Sequence, residues 1–287
     1  MNYAHEFHAG SFADVHKHAV LCRVLVHLRG KDAAFRVIDT HAGAGLYDLA
    51  GAQARRSVEW RDGIARLTEA SVPAPATALL APYLDAVRAL NTARELKTYP
   101  GSPALARAFL RPQDRLTACE LEPKAAAALA RNLRDRRVKT LRIDGWTALP
   151  AYVPPKERRG LVLIDPPFED DNDFARLPSA LAQAHGKWAS GIFILWYPIK
   201  TRNAPDMLAR RLGRLGIPKM LRAELTVAPL RDPSRLNGSG VIVINPPWRL
   251  ADELSALLPA LAAMLGRGGA GRFRLDWLAG EAAPLRR

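Results

Sequence analysis

Seven short runs rich in apolar, β-branched and aromatic residues punctuate the chain, at 35–39, 116–120, 138–143, 161–165, 191–196, 221–227 and 241–245. Stretches with helical spacing fill most of the intervals between them. Strands alternating with helices predict an open α/β sheet covered on both faces. Leu161-Val162-Leu163-Ile164 is apolar without alternation, as in a strand buried on both sides. The last two runs are joined by residues 228–240, too short for a helical crossover, so they are expected to run antiparallel.

The interval from Gly45 to Glu120 is far longer than one crossover helix needs. Residues 57–68 and 77–92 have the spacing of amphipathic helices, separated by Ser71-Val72-Pro73-Ala74-Pro75. The pattern predicts a small helical subdomain at 52–98, inserted into a main domain made of 1–51 and 99–287. Tyr99-Pro100-Gly101-Ser102-Pro103 marks its end, with Ser102 expected as a helix N-cap and Pro103 in the first helical position.

Composition changes this picture mainly through charge. Of the 287 residues, 48% are hydrophobic and 24% charged, as in a soluble globular protein, and no apolar stretch is long enough to cross a membrane. The start does not resemble a signal peptide, so a cytoplasmic location is expected. Cys22 and Cys119 lie in apolar periodic segments and are expected to pack as small hydrophobes. Lys and Arg total 42 against 28 Asp and Glu, a net charge of +14 that favours a polyanionic partner, nucleic acid foremost. Arginine on ordinary solvated faces is the competing account. The clusters at 131–137, Lys200 with Arg202, Arg210 with Arg211, and Arg231 with Arg235 can serve either purpose; Lys200, Arg202, Arg231 and Arg235 are the candidate phosphate contacts.

Candidate chemistry gathers at strand ends. The first strand runs into Asp39-Thr40-His41-Ala42-Gly43-Ala44-Gly45, where a glycine such as Gly43 lets backbone approach a bound nucleoside closely. A dinucleotide fingerprint would place glycine at position 48, which is Asp48, and an acid about twenty residues on; both are missing, which disfavours a nicotinamide enzyme. Later strands end in Cys119-Glu120, Ile143-Asp144-Gly145 and Asp165. Ligands of open α/β sheets bind at these carboxyl ends. Glu120 can accept both hydroxyls of a ribose and Asp144 an adenine amine, so the ordered set predicts S-adenosylmethionine as cofactor. Any one of these acids alone is equally well a helix N-cap.

Asp165-Pro166-Pro167-Phe168 adds a reacting end. The exocyclic amine of a nucleobase is a poor nucleophile, because its lone pair is delocalised into the ring. A site that alkylates it must accept its two protons and clamp the base plane. The Asp165 carboxylate and the Pro166 carbonyl can do the first, and Phe168 offers a stacking face. Asn245-Pro246-Pro247-Trp248 has the same shape and competes for the role. It follows the last strand, whereas the catalytic acid should follow the fourth, beside the glycine loop. Four of the seven histidines fall within residues 5–18, without the cysteines or the i, i+4 spacing about a catalytic Glu that a metal site would want. No metal is expected. The segment reads as one packed across the site, with His18 a candidate cofactor contact.

With these residues in view, nearly the whole chain resembles the bacterial 23S rRNA adenine-N6 methyltransferases of the RlmJ type, which modify adenine 2030. The resemblance rests on Phe7-His8-Ala9-Gly10, Ala13-Asp14-Val15, Lys17-His18, the Asp39–Gly45 loop, Tyr99–Pro103, Asp165-Pro166-Pro167 and Asn245-Pro246-Pro247-Trp248. It implies a Rossmann-like class I S-adenosylmethionine-dependent fold with an inserted helical subdomain, and transfer by direct displacement to a flipped adenine. The cofactor contacts it implies fall on His18, His41, Ser102, Glu120, Asp144, Gly145 and Asp165, the catalytic acid on Asp165 and a substrate-facing tyrosine on Tyr3. Lys17, in the same segment as Tyr3, is assigned to the substrate side. Phe168 stands where the familiar motif carries tyrosine, which keeps stacking and removes a hydroxyl. The expected partner is 23S rRNA, protein-free or in early assembly, with the enzyme a monomer free of membranes. A guanine-N2 or protein-amide methyltransferase, and a non-catalytic RNA-binding Rossmann protein, are the alternatives. Intact acids at three further strand ends weigh against the last of these.

Overall fold

Ser11-Phe12-Ala13-Asp14 opens the first helix, α1 (Phe12–Arg29). Ser11 is its N-cap and accepts from the Asp14 amide, and a hydroxyl three residues before an acid is a helix-start signal. The segment expected to lie across the site is therefore largely helical, and α1 is buried on nearly every side, its Asp14, His16, Lys17 and His18 included. The structure, a computed structural model, describes residues 8–51, 54, 57–69, 74–92, 95–168 and 172–280.

All seven expected strands form, with ends shifted by a few residues: β1 (Arg36–Asp39), β4 (Arg115–Glu120), β5 (Val138–Arg142), β6 (Gly160–Ile164), β7 (Ile192–Ile199), β8 (Met220–Thr226) and β9 (Gly238–Ile244). Three others join them: β2 (Leu46–Asp48), β3 (Thr98–Pro100) and β10 (Arg272–Ala279). The main sheet has the order β10-β8-β9-β7-β6-β1-β4-β5. From β5 to β7 the strands are parallel, while β9 is antiparallel to both β7 and β8. This is the class I methyltransferase sheet, with β10 added antiparallel outside β8. Arg272-Phe273-Arg274-Leu275-Asp276 alternates polar and apolar, a two-residue period that the seven-strand reading passes over. Arg222 of β8 holds the new strand through Asp276 at 2.7 Å.

Successive residues of β1 and β6 enter opposite cores. Val37, Leu161 and Leu163 pack with α1, α4 (Ser102–Phe109) and α9 (Leu250–Leu265). Ile38, Val162 and Ile164 pack with α6 (Gly145–Tyr152), α7 (Asn172–Lys187) and α8 (Asn203–Gly213). The remaining helix of the sheet, α5 (Pro123–Asn132), flanks β4 and β5.

Between β2 and β3, which pair as a hairpin with Tyr47 opposite Tyr99, the chain makes a 3-10 turn (Glu59–Asp62), α2 (Ile64–Glu69) and α3 (Ala76–Arg88). The helix expected at 57–68 is broken at Gly63, whose backbone is non-helical (φ −116°, ψ −110°) and passes so close to the start of α1 that a side chain there would collide with the Gly10 carbonyl. Ile64, Leu80, Tyr83 and Val87 join the core formed by Leu21 and Leu25 of α1. Ser102 also differs from expectation. Gly101 is the N-cap of α4, and the Ser102 hydroxyl instead donates to Asp39 at 2.7 Å.

Candidate active site

The carboxyl ends of β1, β4, β5 and β6 share one edge of the sheet, and a cleft of about 1160 Å³ opens over them. It is larger than a pocket for one small ligand. His41, Gly43, Ser102, Glu120, Asp144, Gly145, Asp165 and Pro166 all line it, together with Lys17.

At one end, Gly43 takes a φ of +60° and its N–H donates to Glu120 Oε2 at 2.8 Å, while the Glu122 N–H donates to Oε1 at 2.8 Å. Each oxygen is fixed by one backbone donor and keeps capacity to accept a second bond. Glu122 itself caps α5, accepting from the Ala125 amide at 2.6 Å, which accounts for an acid at that position. Asp144 combines the two readings the sequence left open. It lines the cleft and caps α6, where Oδ2 accepts from the Thr147 amide at 3.0 Å and the Thr147 hydroxyl at 2.9 Å. His41 Nδ1 lies 2.8 Å from Thr40 Oγ1, whose hydrogen goes to the Leu163 carbonyl. Nδ1 is thus the protonated nitrogen and Nε2 an acceptor. Burial pushes the His41 pKa down to about 4, so the ring is neutral near pH 7.

At the other end, Lys17 of α1 reaches Asp165 Oδ2 at 2.5 Å and Asp14 Oδ1 at 2.9 Å, with all three side chains buried. Burial works against the ammonium, but the two carboxylates outweigh it and raise its pKa. Lys17 therefore lines the cleft with its charge committed to Asp14 and Asp165. Trp196 of β7 stands beside it, the ammonium 5.7 Å from the ring. Its indole N–H donates to Ser239 Oγ at 2.9 Å, and Ser239 also bonds His16 Nδ1 at 3.0 Å. Phe168 has a φ of +52°, in the left-handed region, and its N–H donates to Asp173. Its half-buried ring packs on Phe174 at 4.6 Å and on Trp196 at 5.7 Å. Asp14 and Trp196 were not singled out from sequence. Asp14 carries a signal in its Ser11-x-x-Asp14 spacing, whereas Trp196 is identified only by the residues it meets.

Two expected contacts, His18 and Arg202, fall elsewhere, and Phe168 is not among the residues that line the cleft. His18 is 1% exposed, bonds the Tyr99 hydroxyl at 2.7 Å, and does not line the cleft. One residue along a helix turns a side chain by about 100°, which takes His18 off the face that Lys17 presents. Arg202 is committed to Glu224 at 2.7 Å and Asp206 at 2.5 Å, so it is not the loose phosphate contact expected of it. Lys200, Arg231 and Arg235 are at the surface. Tyr3 lies outside the described residues.

The rival motif is separated by strand direction. Since β9 is antiparallel to β7, Ile244 pairs with Phe193 near the start of β7, and Asn245 sits at the edge opposite the cleft. Its amide donates to the carbonyls of Ala189 at 2.7 Å and Gly191 at 2.8 Å. Asn245→Ala is expected to cost about 1–3 kcal/mol of stability, from two lost bonds at a residue with positive φ. Turnover per folded molecule should stay as it was, and a folded variant without turnover would restore this motif as the catalytic one.

Asp39 is fully buried at the end of β1. Burial pushes its pKa up from 3.8 to about 7, assisted by the charge of Asp165 and opposed by the Ser102 hydroxyl and Lys17. An acid with a raised folded pKa binds more protons folded than unfolded, so its contribution is greatest below about pH 4 and falls as pH rises towards 7. Asp39→Asn should flatten stability against pH over that window and add about 1–4 kcal/mol at pH 8. Thermal unfolding from pH 4 to 8 tests this; an unchanged slope would count against a buried titrating Asp39.

Comparison with known proteins decides the family. The family model described as RsmJ, ribosomal RNA large subunit methyltransferase D, RlmJ, matches residues 32–279. The chain belongs to the RlmJ family. Ribosomal RNA large subunit methyltransferase J of Escherichia coli (strain K12) is 40% identical over 283 residues, covering 98% of this chain and all of the relative. Its counterpart in Haemophilus influenzae is 37% identical over 284 residues, with the same coverage. A crystal structure of a Legionella pneumophila protein superposes with a TM-score of 0.85 at 32% identity, covering 94% of this chain and 98% of that one. As an RlmJ-family member the chain is an S-adenosylmethionine-dependent methyltransferase. Among its described residues no helix is long and apolar enough to cross a membrane.

The donor set suits that cofactor. Glu120, fixed by two backbone amides, presents acceptors for a ribose diol, and Asp144 retains Oδ1 beyond its capping bonds. The neutral His41 and Ser102 stand along the same wall.

Proposed function

We propose that this RlmJ-family enzyme methylates the N6 amine of an adenine in 23S rRNA, acting as a cytoplasmic monomer on protein-free or early-assembly RNA. The observation that carries the reading is the position of Asp165-Pro166-Pro167 at the end of β6, in one cleft with Glu120 and Asp144. S-adenosylmethionine supplies the methyl group for direct displacement. Gly43, His41, Ser102, Glu120, Asp144 and Gly145 would hold it.

The chain's own work is positioning and electrostatics. With Oδ2 of Asp165 shared with Lys17, Oδ1 and the Pro166 carbonyl are the acceptors offered to the two amine protons. As N6 gains positive character towards the transition state these bonds strengthen, which is differential stabilisation. A flipped base pays an unstacking cost that Phe168 offsets by stacking on it. Lys200, Arg231 and Arg235 would take phosphates beside the flipped nucleotide. The helical insert at 52–98 forms a subdomain in this reading. Its Glu59 lies 2.9 Å from His8, which lines the cleft.

Protein-free 23S rRNA incubated with labelled S-adenosylmethionine and digested to nucleosides should yield N6-methyladenosine. N2-methylguanosine as the sole product would overturn the adenine reading, and label in protein alone would turn it towards an amide substrate.

A further inference from the structure

Helix α5, strand β5 and the loop between them carry a dense set of exposed cations: Lys124, Arg131, Arg134, Arg136, Lys139 and Arg142. Ion pairs within the protein use many of its other cations, including Arg23, Arg36, Arg111, Arg202 and Arg222. Among the described residues none of these six forms an ion pair with a carboxylate. The two acids in the same stretch are largely committed elsewhere. Asp135 is held by Arg137 at 2.6 Å, and Glu122 has its carboxylate on the start of α5. The one specific side-chain partner is aromatic, Lys139 lying 5.6 Å from the ring of Tyr152. Like charges this close repel one another, and Glu122, which feels Lys124 and Arg142, offsets them only in part.

The patch is also continuous with the site. Lys124, Arg131 and Arg142 line the cleft; Arg134 and Arg136, in the loop before β5, and Lys139, near its start, carry the basic charge along this edge strand towards the end of the sheet away from the cleft. Lys200, Arg231 and Arg235 belong to the loops after β7 and β8, on the other side of the catalytic β6. From β5 to β9 the sheet crosses five strand spacings of about 4.8 Å, so the two basic regions are separated by roughly 25 Å across the sheet.

We propose that the α5–β5 edge is a second phosphate-binding surface, along which the substrate RNA runs on from the cleft, so that it is anchored on both sides of the flipped nucleotide. This rests on the RNA-methyltransferase reading above and extends it to the footprint. Nucleic acid fits better than an acidic protein. The cations are spread along an edge that leads into a base-sized site, and phosphates are met by repeated, weakly directional contacts.

The test replaces Arg134, Arg136 and Lys139 together by glutamine, since these three do not line the cleft. Binding is measured to a long rRNA fragment and to a minimal hairpin around the methylated nucleotide, with S-adenosylhomocysteine affinity as a control. For the long fragment, affinity should fall at least tenfold at moderate salt. The slope of log affinity against log salt should lessen by about 2–3, near 0.9 for each lost phosphate contact. The short hairpin should bind almost as before, and cofactor affinity should not change. Unchanged affinity and salt slope for the long fragment, with wild type still methylating it, would overturn the second surface and leave the function standing. Wild type that neither binds nor methylates either RNA would instead overturn the function on which it rests. Equal loss on both RNAs would show that the patch acts at the flipped nucleotide, against a separate anchor.

Discussion

Asp165→Ala is expected to lower methyl transfer by at least 10²–10³-fold, about 3–4 kcal/mol of transition-state stabilisation, the range for removing one preorganised polar group aimed at developing charge. Asp165→Asn is the more informative change, because in the proposed mechanism the carboxylate serves two donors at once. Oδ2 meets Lys17 at 2.5 Å, which leaves the other oxygen for the base amine. An amide has one acceptor and one donor. If its oxygen turns to Lys17, an NH2 group faces the substrate amine; if its oxygen faces the amine, Lys17 meets an NH2 group. Both orientations lose one of the two bonds, so the asparagine variant should fall well below wild type although it matches the shape. Single-turnover transfer to rRNA measures the loss. Calorimetric titration with S-adenosylhomocysteine and thermal unfolding establish that cofactor binding and fold persist. Wild-type turnover by either variant would remove Asp165 from the mechanism.

The second large effect is on stability. Lys17→Met takes the cation from between Asp14 and Asp165, two buried carboxylates, with Asp39 close enough to sense the same charges. Leaving buried charge without its partner costs about 3–5 kcal/mol. The loss should shrink as pH falls, because a stranded carboxylate can take up a proton, and it should be largest above pH 7. The double variant Lys17→Met/Asp165→Asn should recover part of the stability and none of the activity, a non-additivity expected of groups in direct contact. Denaturant unfolding at pH 6 and pH 8 distinguishes this from simple loss of packing, which would be equal at both. A single variant as stable as wild type at pH 8 would mean the ion pair contributes nothing net.

Much of the architecture is legible along the chain. The runs that became β1 and β4 to β9 are short apolar segments bounded by turn residues, and their period is written within windows of five to eight positions. The acids Glu120, Asp144 and Asp165 stand out because they end such runs. The hairpin of β8 and β9 follows from a connection too short to cross over. The helical content of residues 52–98 was visible in its spacing, but the break at Gly63 was not, since it depends on Gly10, far away in the chain.

Tertiary structure alone decided what each of those residues faces. Lys17 meets Asp165 across 148 positions, and His16 meets Ser239 across 223. Nothing local to either residue encodes its partner. Two Pro-Pro motifs of the same shape are distinguished only by the direction of the strands that carry them, which sends Asp165 to the cleft and Asn245 to the opposite edge. Arg202 and Arg134 read alike as basic residues, yet one is neutralised by Glu224 and Asp206 and the other stands open at the surface. The physical reason is one of range. Periodicity, caps and turns depend on backbone geometry between near neighbours, so a single chain displays them. Charge compensation, hydrogen-bond partners and the sharing of one cleft depend on how the sheet orders and directs its strands, which exists only once the core has packed.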